Sequence, residues 1–167
     1  SEFLHTRPAG HLGRTPNLRV GIVNAIIVTP DADSEILGNK ITADRWANVL
    51  RTLGHDVSIA GQWNNADCDL LIALHARRSY SSVKRFREAH ADQPLIVALT
   101  GTDLYRDLPD SIEARQSLSM ATRVIVLQSA ALERLSDEIR AKTSVIYQSA
   151  LPPTERTAPS EDHFEVC

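Results

Sequence analysis

The sequence predicts an α/β fold, a doubly wound parallel Rossmann-like sheet. Three observations carry that expectation. Residues 70–74 (LLIAL), 95–99 (LIVAL) and 124–127 (VIVL) are unbroken apolar runs of strand length, as expected of strands covered on both faces. Helix-patterned stretches long enough for crossovers separate them, so the strands run parallel. Such crossovers are right-handed, which winds helices onto the two faces of one sheet. A chain of 167 residues also buries enough surface to hold a core without a disulfide or metal staple.

The elements follow in order. Residues 1–19 show no apolar period and carry Pro8, Gly10, Gly13 and Pro16. They read as an irregular leader or remnant, and the domain proper as residues 20–150. The first strand lies within residues 20–28, where Asn24 interrupts the run and leaves 25–29 as the buried part. An acidic loop with Asp31, Asp33 and Glu35 comes next. Ala43, Trp46, Ala47, Leu50 and Leu53 then fall at i, i+3, i+4, i+7 and i+10, one stripe at helical spacing. Asn39 is expected to cap this helix and Gly54 to stop it. Strands are expected at 57–60, 69–74, 95–99, 124–127 and 144–147. Helices are expected at 79–90 (basic and exposed), 111–121 and 130–139. Pro152, Pro153 and Pro159 sit among charges and hydroxyls, so residues 151–167 read as an interdomain linker. It ends on Phe164, Glu165, Val166 and Cys167, taken as the first strand of a further, C-terminal domain.

Composition narrows the function. Acidic residues number 21 against 18 basic, a formal charge of −3, where a nucleic-acid binder would show a basic excess. No apolar run approaches the roughly 20 residues of a membrane span, and the opening lacks the order of a signal peptide. Cys68 and Cys167 make neither a disulfide framework nor a four-ligand zinc site, which suits a reducing cytoplasm.

Ligands of open parallel sheets lie beyond the carboxyl ends of the strands. The residues there are polar in five separate segments: 30–39, 75–79, 100–106, Gln128 with Ser129, and Gln148 with Ser149. Gly38 and Asn39 open the first helix, where unpaired N–H groups favour a phosphate; they also fit a plain turn and cap. His75, Arg77 and Arg78 combine a group that titrates near neutrality with bidentate anion binders. The two arginines equally fit a solvated basic face continuing through Lys84, Arg85 and Arg87. Gly101 between Thr100 and Thr102 admits a ligand close to the backbone. Asp103 offers acceptors for sugar hydroxyls or an arginine, although these residues also fit a turn with Thr102 or Asp103 as a cap. Tyr105 and Arg106 add a stacking ring and a charge.

Several chemistries lack their signatures. No GxGxxG follows the first strand, and Gly38-Asn39-Lys40 lacks the upstream glycine of a P-loop. There is no nucleophile elbow, and no spaced set of metal ligands; Asp31 with Asp33 is too little.

In order and spacing, the segments GNxxTAxRWA (38–47), ALHARRS (73–79), ALTGTDLYRD (98–107), VLQ (126–128) and VIxQSA (145–150) resemble GT-B glycosyltransferases. More narrowly they are similar to the selenosugar synthases among them. The resemblance covers residues 25–150. It implies the N-terminal, acceptor-side half of a two-domain enzyme that joins a UDP-sugar, N-acetylglucosamine or a close relative, to selenophosphate. A carbon–selenium bond forms, and the nucleotide sugar is a substrate, so no cofactor or metal is implied. Carried over, Gly38, Asn39 and Thr42 approach the phosphates. Arg77 and Arg78, with His75, hold the acceptor anion. Gly101, Thr102 and Asp103 complete the floor, beside Tyr105, Arg106, Gln128 and Gln148. His75 and Asp103 are the candidate catalytic residues. The implied partners are the UDP-sugar donor, the selenophosphate acceptor and the chain's own C-terminal domain, with no nucleic acid or membrane.

Overall fold

In a computed structural model the chain is described over residues 21–30 and 38–148. The leader at 1–19, the acidic loop after Pro30 and the linker with its terminal strand at 151–167 lie outside the described residues. Six strands form one all-parallel sheet: β1 (Asn24–Val28), β2 (Asp56–Ala60), β3 (Leu70–Leu74), β4 (Leu95–Leu99), β5 (Arg123–Val126) and β6 (Thr143–Val145). Their spatial order is β2-β1-β3-β4-β5-β6, so the winding reverses between β1 and β3. The fold is the doubly wound α/β sheet that the apolar runs predict.

Strand parity sorts the core into two layers. Ile26 and Val28 of β1 join Leu71, Val97, Leu99 and Val124 in one cluster, packed by Val83, Phe86, Ala114 and Leu118. Those four come from α2 (Tyr80–Ala89) and α3 (Ile112–Met120). Ile27 points the other way, with Ile72, Leu74, Ala98 and Ile125, against Ala43 and Ala47 of α1 (Gly38–Thr52). Among the described residues, one face thus carries the later helices and the other carries α1, as right-handed crossovers reversing at β1 and β3 require.

Boundaries differ from the pattern in three places, each for a local reason. Asn24 opens β1 instead of interrupting it: its N–H donates to Asp69 Oδ2 at 2.8 Å and its amide to the Asp67 carbonyl at 3.0 Å. Helix α1 begins at Gly38, so Asn39 lies inside the first turn and does not cap it. Gly54 does end the helix. Its φ of +90° allows His55 N–H to reach the Leu50 carbonyl at 3.1 Å, the long bond of a Schellman ending. The stretch expected as one helix at 130–139 divides into a 3-10 segment, Ser129–Arg134, and α4, Asp137–Ala141. Leu135 is extended with ψ 145°, and Ser136 starts a new cap by accepting from Ile139 N–H at 3.5 Å. Arg140 then takes the carbonyls of Leu132 and Leu135 at 3.0 and 3.1 Å, which closes the break.

Helix α2 is less solvated than its charges suggest. Ser82, Val83 and Phe86 are buried, and Arg87 ties the carbonyls of Ala91 and Met120 at 2.6 and 3.0 Å. Arg85 reaches back to the Trp63 carbonyl at 2.7 Å. These two arginines fasten α2 to its neighbours.

Cys68 is buried in the loop before β3, and burial pushes its thiol up from the ordinary value. A thiol so held stays protonated near neutrality and hidden from reagents. Iodoacetamide is therefore expected to modify Cys68 in the native chain no faster than global unfolding exposes it. Fast modification of Cys68 in peptide maps, without denaturant, would contradict this packing.

Candidate functional site

The site follows from the strand order. Beyond the carboxyl ends of β1 and β3, where the winding reverses, lies a cleft of about 520 Å³. Gly38, Asn39 and Thr42 of α1 form one wall; His75, Arg77 and Arg78 follow β3; Thr100, Gly101 and Thr102 follow β4; Leu127 and Gln148 close the far side. Four of the five polar segments thus meet there through residues placed by one sheet edge. The described residues also form an almost wholly apolar cleft of about 380 Å³ between Trp46, Leu50, Ile72, Ile96, Ile125 and Ile146. Its one charged side chain, Arg45, gives it little to do chemistry with.

The turn from β3 into α2 is the most tightly determined part of the polar cleft. His75 has φ +72°, a left-handed conformation costing a non-glycine residue roughly 1–2 kcal/mol. Its neighbours enforce it. Ser79 Oγ donates to the Leu74 carbonyl at 2.7 Å, and Ser117 Oγ to the Ala76 carbonyl at 2.8 Å. Asp103 Oδ2 accepts from Ala76 N–H at 2.6 Å, and Oδ1 more weakly from Arg77 N–H at 3.4 Å. The His75 Nδ1 lies 2.8 Å from Asp103 Oδ1 and 3.4 Å from Arg78 N–H. The hydrogen bond is the longer contact, Arg78 N–H donating to Nδ1, while Asp103 Oδ1 approaches the same nitrogen as an ion-pair neighbour with no aligned N–H. Nε2 then stands 3.6 Å from Asp107 Oδ2, too far for a hydrogen bond.

This arrangement redefines several candidate residues. Asp103 is 0% exposed, and its oxygens face backbone N–H groups and His75; it fixes the turn from behind and presents no acceptor for a sugar hydroxyl. His75 is 3% exposed and forms floor. Thr42 Oγ1 donates to the Gly38 carbonyl at 2.8 Å and accepts from the Gln148 amide. It therefore ties α1 to the end of β6 and has little left for a ligand. Arg77 is half exposed in the cleft, and Arg78 is exposed beside it. Arg106 is exposed but lies outside the cleft lining.

Tyr105 and Gln128 belong to an adjoining hollow of about 520 Å³ that shares Thr100, Gly101, Leu127 and Gln148 with the first and adds Tyr147. Gln128 donates its amide to the Tyr105 hydroxyl, and the Arg134 guanidinium sits 5.9 Å from the Tyr105 ring centre. Arg134 was not visible as a partner because its separation from Tyr105 has no local period.

The residue that sequence reasoning missed is Asp107. Residues 103–107 form a π-helical turn, closed by Leu108 N–H to the Asp103 carbonyl at 2.8 Å. That turn carries both carboxylates to the foot of the cleft. Asp107 Oδ2 meets Arg77 Nε at 2.9 Å. The N–H is not aimed along the contact, so this is an ion pair and Oδ2 has no aligned hydrogen bond. Donor atoms of His75, Asp103 and Asp107 come within 4.8 Å of one another. As a metal centre they are poor, since Asp103 is committed to N–H donors and an arginine faces Asp107. The cation facing Asp107 is a side chain already in place, Arg77.

No helix among the described residues is long and apolar enough to cross a membrane. No known family matches the chain, and no curated protein matches it, so the functional reading rests on the geometry of the cleft and on its residues.

Proposed function

We propose that this domain binds the anionic substrate of a glycosyl transfer, as the acceptor side of a GT-B glycosyltransferase of the selenosugar-synthase type. The reaction joins a UDP-sugar, N-acetylglucosamine or a close relative, to selenophosphate. Selenium attacks the anomeric carbon while the carbon–oxygen bond to UDP breaks, and the electron pair leaves with the diphosphate; water then cleaves the selenium–phosphorus bond, giving phosphate and the selenosugar. The observation that carries the reading is the cleft at the winding reversal, where Arg77 and Arg78 face the opening turn of α1. A helix N-terminus and paired arginines suit a phosphate-bearing ligand. The ordered motifs of the resemblance supply the family and the selenium.

One structural feature favours selenophosphate over an alcohol. An alcohol acceptor needs a general base in reach. His75, the cleft's histidine, is only 3% exposed and its ring nitrogens face the Asp103 and Asp107 carboxylates, so it is floor and does not reach an acceptor hydroxyl. Selenophosphate is already a nucleophile, so the domain has only to position it and offset repulsion between two anions.

Two measurements test this. Isothermal titration of the chain with inorganic phosphate is expected to show binding that Arg77→Ala weakens by roughly tenfold, the worth of a charge-assisted pair, in a chain that still melts cooperatively, at a lower midpoint because Asp107 loses its cation. A Cβ on Gly101 meets no atom within 4 Å, so Gly101→Val should fold and still weaken binding by filling the cleft. Phosphate binding that both variants leave intact would remove the cleft from the proposal. The full-length protein, given UDP-N-acetylglucosamine and selenophosphate, is expected to release a selenosugar detectable by mass spectrometry. Transfer to an alcohol instead would leave a generic glycosyltransferase. Anion binding without any transfer would leave a non-catalytic anion-binding module.

A further inference from the structure

We propose that Asp107 is a positioning residue for the anion cleft, holding Arg77 by its Nε so that the terminal N–H donors are free to engage a bound phosphate. The inference rests on the reading of the cleft as an anion site and goes beyond it by assigning how the arginine is made ready.

The two carboxylates of the π-helical turn divide the work. Asp103 is spent on the turn itself, through Ala76 N–H and His75 Nδ1. Asp107 makes no such bond with Oδ2, and the contact at 2.9 Å is Arg77 Nε. Asp107 is also the fixed member of the pair. It is 9% exposed against 49% for Arg77, and its own carbonyl accepts from Ser111 N–H at 2.8 Å, so its backbone is anchored to the start of α3. An arginine offers five donors in a rigid fork. An ion pair at the Nε end leaves the four terminal donors outside the contact, for a ligand, and restricts the side chain before the ligand arrives.

Charge and positioning predict opposite signs. As a charge, Asp107 lowers the potential of a cleft meant for an anion, so neutralising it should tighten binding. As a positioning group it orders Arg77, so neutralising it should weaken binding. Geometry favours the second: the carboxylate is turned to the Nε of an arginine that a ligand needs at its other end.

The test is phosphate titration of the full chain as wild type, Asp107→Asn, Arg77→Ala and the double variant, with circular-dichroism melts as the folding control. Asp107→Asn is expected to weaken binding roughly three- to tenfold, and to change it less than about twofold once Arg77 is alanine, the signature of a coupled pair. Tighter or unchanged binding in Asp107→Asn overturns the proposal, as does an equal loss in the Arg77→Ala background. If Asp107→Asn fails to fold, Arg77→Lys decides the matter: a lysine paired with Asp107 has no second edge for the ligand. It should weaken binding nearly as much as alanine, and wild-type affinity in Arg77→Lys would overturn the assignment. A wild-type chain that binds no phosphate refutes the anion reading itself, which separates that failure from these.

Discussion

Asp103→Ala is expected to destabilise the fold by about 3–5 kcal/mol, the range for breaking a buried charged network from one side. The carboxylate is fully buried and meets two backbone N–H groups and a buried imidazole. Alanine leaves Ala76 N–H without its 2.6 Å acceptor and removes the partner of a histidine held at φ +72°. Each unsatisfied buried donor costs about 1–3 kcal/mol, so the strained turn loses the contacts that enforce it. Asp103→Asn should cost less, about 1–3 kcal/mol, because one oxygen remains while the new amide opposes another donor. Urea unfolding measures both; with a slope of about 2 kcal/mol/M, the alanine variant should lose about 1.5–2.5 M from the midpoint. A loss under about 0.5 kcal/mol, the ordinary surface value, would show that Asp103 is not the keystone of the turn.

Trp63→Ala is expected to cost about 3–5 kcal/mol, as for other large aromatic truncations in a core. Trp63 is 1% exposed although it lies in the loop joining β2 to β3. Its ring meets Phe86 edge-on at 5.2 Å and His90 at 5.7 Å, and its indole N–H donates to the Ala66 carbonyl at 3.0 Å. Its backbone is tied to α2 as well, through Ser82 Oγ at 3.0 Å and Arg85 at 2.7 Å. The loop is therefore a strap over α2, the helix that follows Arg77 and Arg78. Trp63→Phe keeps most of the buried area and loses the indole donor, so its cost should be well below that of alanine. Equal stability of the alanine variant in urea would show that the strap carries no load.

The sheet was legible because its strands are buried on both faces. Continuous apolar runs mark the extent of such strands, and 95–99 matches β4 residue for residue. Helix α1 was legible from its stripe, and Gly54 from the φ that only glycine takes freely. The failures share another cause. The break after Arg134 depends on Arg140 reaching back to two carbonyls, and the π-turn depends on one backbone bond from Leu108 to Asp103. Neither leaves a periodic trace in composition. For the site, the sequence pointed correctly to the segments that reach the sheet edge, since topology alone brings strand ends together. It could not tell which face of each segment looks outward.

Asp103 and Asp107 make that division concrete. Four residues apart, they were separable by sequence only as a loop acid and an unremarked acid. The chain by itself determined a doubly wound parallel α/β sheet and an edge rich in hydroxyls, arginines and glycine, because burial period and chain connectivity are local properties; the reversal between β1 and β3 came from the strand order. Only the tertiary structure decided that His75 and Asp103 turn inward as scaffold while Arg77, steadied by Asp107, remains in the cleft. That choice is made by long-range contacts between residues 26 to 41 positions apart, where hydrogen-bond geometry in a buried turn outweighs any preference the side chains have alone.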